Sequence, residues 1–150
     1  MVEWIDFWAR VGGSYIPSDH NYGLYASLVN TNENLRDLDW QLHTIQGYPQ
    51  GKGLIKLGSN SFLGIRCPKT ILKEISHIER LRIGKWEIEL TNKQISPLIP
   101  KTSLNSRIVT VKGVETVENM QKSLMIKSQK MGINASFSVG NRKIVKIKRF

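Results

Sequence analysis

An apolar pattern of period two runs from Glu3 to Val11 and stops at Gly12-Gly13. A helical pattern then takes over, with Leu24, Tyr25, Leu28 and Val29 at three- and four-residue spacing. This switch of period constrains the fold more than any other feature, because strands and helices place different residues on a shared face. It recurs along the chain. Trp40–Gly47 and Gly53–Leu57 read as strands joined by a turn at Pro49, Gly51 and Gly53, and Ser61–Cys67 reads as another, stopped by Pro68. Residues 69–80 return to helical spacing with Ile71, Leu72, Ile75 and Ile78, and 81–91 form a strand pair or one bent strand.

The first 92 residues therefore follow a β-α-β-β-α-β order with one extra strand, the ferredoxin-like arrangement. Ser96-Pro97-Leu98-Ile99-Pro100 reads as a stiff connector. A second unit follows: a strand at Asn105–Lys112, a helix over 115–131 with Val117, Met120, Leu124 and Met131 inward, and a hairpin of Ala135–Val139 with Lys143–Arg149. The expected fold class is α+β with tandem ferredoxin-like units, 1–92 and 93–150, the second incomplete.

At 150 residues the chain can bury a substantial core. No run approaches the roughly 20 apolar residues of a membrane span, and the first residues lack the basic opening of a signal peptide. Cys67 is the single cysteine, which excludes an internal disulfide and fits a reducing, cytoplasmic setting. With three scattered histidines and no carboxylate cluster, neither a metal site nor a cofactor is expected. Charge is unevenly spread. Residues 1–100 carry 11 Lys/Arg against 10 Asp/Glu, whereas 101–150 carry 11 against only Glu115 and Glu118. Such segregation suits a polyanion-binding surface, and nucleic acid fits better than an anionic membrane because the basic segment reads as strand and helix.

Ile16-Pro17-Ser18-Asp19-His20 opens the first helix, expected over 18–30. Ser18 is placed to cap it and Ile16 to staple it, which sets His20 in the first turn beside free backbone N–H groups. Histidine is suited to proton transfer near neutral pH, and an anion is favoured at that end of a helix. The plainer alternative is a surface or capping histidine beside Asp19. Tyr22 either orients His20 or stacks on a base, while Tyr25 reads as packing.

Arg107 shares a strand face with Val109 and Val111, so it lies at a sheet edge or meets a phosphate; Lys112 flanks it. Lys122, Lys127 and Lys130 lie off the apolar face of the third helix, and Arg142, Lys143, Lys146, Lys148 and Arg149 stud the last hairpin. Almost no acids accompany them, which points to a surface that follows phosphates. His43 reads as an exposed strand histidine, His77 as a polar-face residue, and the four tryptophans as core or sheet-face packing.

Several stretches together resemble one family: a strand ending Arg-Val-Gly-Gly, then Ile-Pro-Ser-Asp-His-Asn-Tyr-Gly-Leu-Tyr-Ala-Ser-Leu, Leu-Gly-Ser-Asn-Ser-Phe-Leu-Gly-Ile-Arg-Cys-Pro, and Leu-Asn-Ser-Arg-Ile-Val-Thr-Val-Lys-Gly. They resemble the CRISPR repeat-processing endoribonucleases of the RAMP superfamily, within them a short subfamily with Pro-x-Asp-His-x-Tyr-x-Leu-Tyr at the first helix. The resemblance implies metal-independent cleavage of CRISPR repeat RNA by 2′-OH attack, with His20 at the position of the assisting histidine. It implies a repeat stem-loop as partner and leaves room for a CRISPR effector complex; the oligomeric state is not implied. The family's C-terminal glycine-rich loop has no counterpart before Phe150, so a repeat-binding protein that does not cleave is the alternative. An unrelated ferredoxin-like RNA-binding protein is a third.

Overall fold

The structure, a computed structural model, describes residues 2–99, 103, 111, 113–130 and 132–141. The chain divides into two compact units, 1–100 and 101–150. In the first, β1 (Trp4–Gly12) buries Ile5, Phe7, Ala9 and Val11 on one face and turns Trp4, Asp6, Trp8 and Arg10 to the other. β2 (Tyr15–Pro17) follows, then α1 (Asn21–Thr31), which buries Leu24, Leu28 and Val29. A short 3-10 turn, Glu33–Asp37, leads to β3 (Gln41–His43), β4 (Tyr48–Gly51), β5 (Leu54–Lys56) and β6 (Phe62–Pro68). After a 3-10 turn at Lys69–Ile71 come α2 (Leu72–Ile75), β7 (Arg80–Ile83) and β8 (Trp86–Pro97).

Five strands make one antiparallel sheet in the order β3-β6-β1-β8-β7, and β2-β5-β4 make a smaller one. The core gathers the inward residues of β1, β6, β7 and β8 with Leu24 and Leu28 of α1 and Ile71, Ile75 and Ile78 around α2. The β-α-β-β-α-β order with an added edge strand is ferredoxin-like. One face of the large sheet packs against the helices. The opposite face carries Trp8, His43, Phe62 and Arg66.

Several boundaries differ from the sequence reading. α1 starts at Asn21, not Ser18, because Tyr15–Pro17 pair with β5 and Ser18 N–H donates to Gly53 C=O; Ser18 is not the cap. β3 ends at His43, four residues short of Gly47, since the Ile45 N–H is taken by a side chain outside the ladder. The second helix shrinks to Leu72–Ile75 because the chain must turn to enter β7, although Ile71, Ile75 and Ile78 stay buried as their spacing requires. β8 runs through the expected 92/93 boundary to Pro97, pinned past a bulge by pairing with β1, with Asn92 at φ 46°.

In the second unit, α3 (Val117–Lys130) lies within the expected 115–131 and half-buries Val117, Met120 and Leu124. Residues 133–141 form no strand; the alternation in Ala135–Val139 carries mostly short side chains with little apolar surface to hold one. The strands expected at 105–112 and 143–149 lie almost wholly outside the described residues. No described helix is long and apolar enough to cross a membrane.

Candidate functional site

His20 is the N-cap residue of α1 and is only 1% exposed. Its two ring nitrogens are both engaged. The Ile45 N–H donates to Nε2 at 3.1 Å, so Nε2 carries no proton; Nδ1 must then hold it and donate to the Pro17 carbonyl at 2.8 Å. One imidazole thus ties the end of β2 to the segment after β3. The position expected for it, an open first turn, is not the one it occupies, because β2 consumes the residues meant for that turn.

The next residue extends the tie: Asn21 Nδ2 donates to Thr44 Oγ1 at 3.0 Å. Gln46 is held from the other side, its carbonyl accepting the buried Ser61 hydroxyl at 2.7 Å. Thr44, Ile45 and Gln46 are therefore each fixed by a different residue.

Thr44 and Gln46 wall an open cleft of about 510 Å³ on the outer face of the sheet, with Trp8, His43, Asn60 and Phe62. Trp8 and His43 stack with ring centroids 5.1 Å apart and planes 21° from parallel. On the same sheet face Arg66 grips Asp6 with two hydrogen bonds of 2.9 Å. That grip holds the Asp6 carboxyl below the usual carboxylate range, against a smaller opposing effect of burial; His43, 3.6 Å from Asp6, adds to the lowering. Among the described residues, the His43 Nε2 is a buried side-chain nitrogen with no hydrogen-bond partner.

Tyr22 is 83% exposed and, two residues along the helix, does not share a face with His20. Tyr25 stacks on Trp40 at 5.0 Å, the packing role expected of it. Lys122, Lys127 and Lys130 are exposed on α3, in the second unit. Arg107, Lys112, Arg142, Lys143, Lys146, Lys148 and Arg149 lie outside the described residues. Sequence reasoning passed over the cleft. The signal was present in β1, where Asp6, Trp8 and Arg10 alternate against Ile5, Phe7 and Ala9. Among the described residues no three His, Cys, Asp or Glu side chains gather as a metal site.

Comparison with known proteins converges on one family. The family model described as Cas6 Crispr matches residues 5–150. The CRISPR-associated endonuclease Cas6 of Myxococcus xanthus (strain DK1622) is 26% identical over 152 residues, which cover 98% of this chain and 65% of that protein. The chain thus spans 65% of the length of that curated relative. A solved structure, CRISPR associated protein Cas6, superposes with a TM-score of 0.51 at 12% identity, over 88% of this chain and 72% of that one, a likeness of fold.

Proposed function

The chain belongs to the Cas6 family of CRISPR proteins, and on that premise we propose that it binds CRISPR repeat RNA and acts as its endoribonuclease. The family match over residues 5–150 carries this proposal. In the proposed reaction the 2′-OH upstream of the scissile bond gives up its proton and its oxygen bonds to phosphorus. The bond to the 5′ oxygen breaks and that oxygen gains a proton. The products are a 2′,3′-cyclic phosphate and a 5′-hydroxyl, with no metal required.

His20 is the proposed proton-transfer group. The Pro17 carbonyl holds the proton on Nδ1 and so leaves the Nε2 lone pair as the basic site. The Ile45 N–H occupies that lone pair. Substrate must therefore open the contact before Nε2 can take the 2′-OH proton. Tyr22, exposed on the same helix but on another face, is the proposed base-stacking contact. The basic residues Arg107, Lys112, Lys122, Lys127, Lys130, Arg142, Lys143, Lys146, Lys148 and Arg149 are proposed to hold the repeat stem-loop by its phosphates. A CRISPR effector complex is the proposed further partner.

The occupied nitrogens of His20 favour a second reading, a repeat-binding protein that does not cleave. One experiment separates the two. The purified protein is incubated in EDTA with repeat RNA, beside the same RNA carrying a 2′-deoxy nucleotide before the cut and beside His20→Ala checked for folding. Cleavage to a 2′,3′-cyclic phosphate that the 2′-deoxy substitution and His20→Ala both abolish is expected. Tight binding with no cleavage of either RNA would establish the second reading.

A further inference from the structure

We infer that the outer face of the large sheet holds a site for one unpaired nucleotide of an RNA strand, its base in the Trp8–His43–Phe62 cleft and its phosphate at Arg10. That the strand is CRISPR repeat RNA rests on the function proposed above; the site itself rests on the sheet.

The cleft is built for flat rings. Gly64 lies directly across from Trp8 in the β1–β6 ladder and from His43 in the β3–β6 ladder. A Cβ at Gly64 would stand 2.4 Å from Trp8 Cζ3 and 2.8 Å from His43 Cδ2, so only glycine lets both rings lie down on the strand. Phe62, two residues earlier and on the same face, is 41% exposed. Exposed aromatic faces bind unstacked bases with little sequence preference. Thr44, Gln46 and Asn60 complete the wall, and a hydroxyl with two amides offers both donors and acceptors to a base edge.

Charge agrees. Asp6 is the carboxylate beside His43, 3.6 Å from its Nε2, and Arg66 neutralises it through two hydrogen bonds. Arg10 is exposed and sits directly across from Phe62, so the pair shares one face with Cβ atoms roughly 5 Å apart. An aromatic ring beside a guanidinium matches the two halves of a nucleotide, a base and a phosphate. Part of the polar wall is fixed before any ligand arrives: Asn21 holds the Thr44 hydroxyl, Ser61 holds the Gln46 backbone carbonyl, and the Gln46 side-chain amide donates to the Thr44 carbonyl at 3.3 Å.

The test measures binding of the 150-residue chain to fluorescent RNA, for the wild type, Phe62→Ala, Phe62→Tyr and Arg10→Gln. The probes are the repeat, a single-stranded oligonucleotide of unrelated sequence, that oligonucleotide made fully abasic, and a blunt duplex. Phe62→Ala is expected to weaken binding of the unrelated single strand roughly tenfold, with Phe62→Tyr restoring it. Neither substitution should affect the abasic strand or the duplex. Arg10→Gln should weaken both single strands alike, since it acts on the phosphate. Wild-type binding to single strands left intact by Phe62→Ala would overturn the site while sparing the repeat-RNA proposal. Binding of the unrelated strand but no preference for the repeat would do the reverse. No binding to any single strand, or equal competition by a free nucleoside monophosphate, would overturn the assignment to an RNA strand.

Discussion

The Nε2 atom of His20 accepts the backbone N–H of Ile45 at 3.1 Å, while Nδ1 of the same ring donates to the Pro17 carbonyl at 2.8 Å. A buried ring that bridges two backbone segments serves the fold whatever it does to substrate. Truncation to alanine would strand the Ile45 N–H and the Pro17 carbonyl, and would leave a cavity where a side chain only 1% exposed had been. His20→Ala is expected to cost about 2–4 kcal/mol in urea unfolding. A loss below about 1 kcal/mol would mean that the two bonds are not stably made.

Asp6 supplies a stability that depends on pH. Arg66, and to a smaller degree His43, hold its folded-state pKa below the ordinary carboxylate range. For a carboxylate so depressed, the stabilisation is complete above the unfolded pKa and disappears as pH falls through the folded one. Arg66 is 38% exposed in its side chain, so solvent screens part of the interaction. Asp6→Asn should therefore cost about 1–2 kcal/mol near pH 7, and the gap to wild type should close on acidification. Denaturation curves at several pH values give the answer; a gap that stays constant down to about pH 2.5 would contradict the ion pair.

Cys67 is fully buried between Ile65 and the end of β6, and burial, assisted by the nearby Asp6 charge, pushes its thiol up to about 11. Near pH 8 only about a thousandth of such thiols are ionised, and none is accessible to reagent. Iodoacetamide should label the native protein far more slowly than the urea-unfolded one. Comparable rates would show that β6 opens readily.

Much of the first unit was legible because β1 and α1 bury residues at the period their sequence displays. Ile5, Phe7, Ala9 and Val11 against Trp4, Asp6, Trp8 and Arg10 need no tertiary knowledge. The start of α1 was not legible. Whether Ser18 caps a helix or leaves a strand depends on Gly53, far along the chain, which accepts its N–H. The same holds for β3, which alternation would extend to Gly47 but which His20 stops by taking the Ile45 N–H. His43, expected to be an exposed strand histidine, points away from the core but is half-buried, with its Nε2 buried. That it stacks on Trp8 over Gly64 follows from strand order, which no single segment encodes.

Lys122, Lys127 and Lys130 lie exposed on α3, where they make no ion pair within the described residues. If they follow RNA phosphates as proposed, each neutralisation should weaken binding about equally for all sequences. It should also lower the slope of log affinity against log salt by about one. Salt titrations of Lys127→Gln and Lys130→Gln test this. Unchanged slopes would assign these lysines to solvent.

Gly64 gives the sharpest test of how the outer face is assembled. Its φ is unexceptional, so glycine is required there by space and not by backbone conformation. A methyl group would meet Trp8 at 2.4 Å and His43 at 2.8 Å, and the backbone of β6 cannot retreat because Leu63 and Ile65 on either side are locked in the core. The rings must move instead, and lifting them disturbs their stack. Gly64→Ala is therefore expected to cost about 1–3 kcal/mol and to alter the near-ultraviolet dichroism of Trp8. Secondary structure should be retained, since the core side of β6 is untouched. If the cleft binds a nucleotide, the same change should weaken single-stranded RNA at temperatures where the variant is fully folded. A folded Gly64→Ala protein with wild-type dichroism would show that Trp8 and His43 do not rest on this glycine, and the cleft would lose its floor.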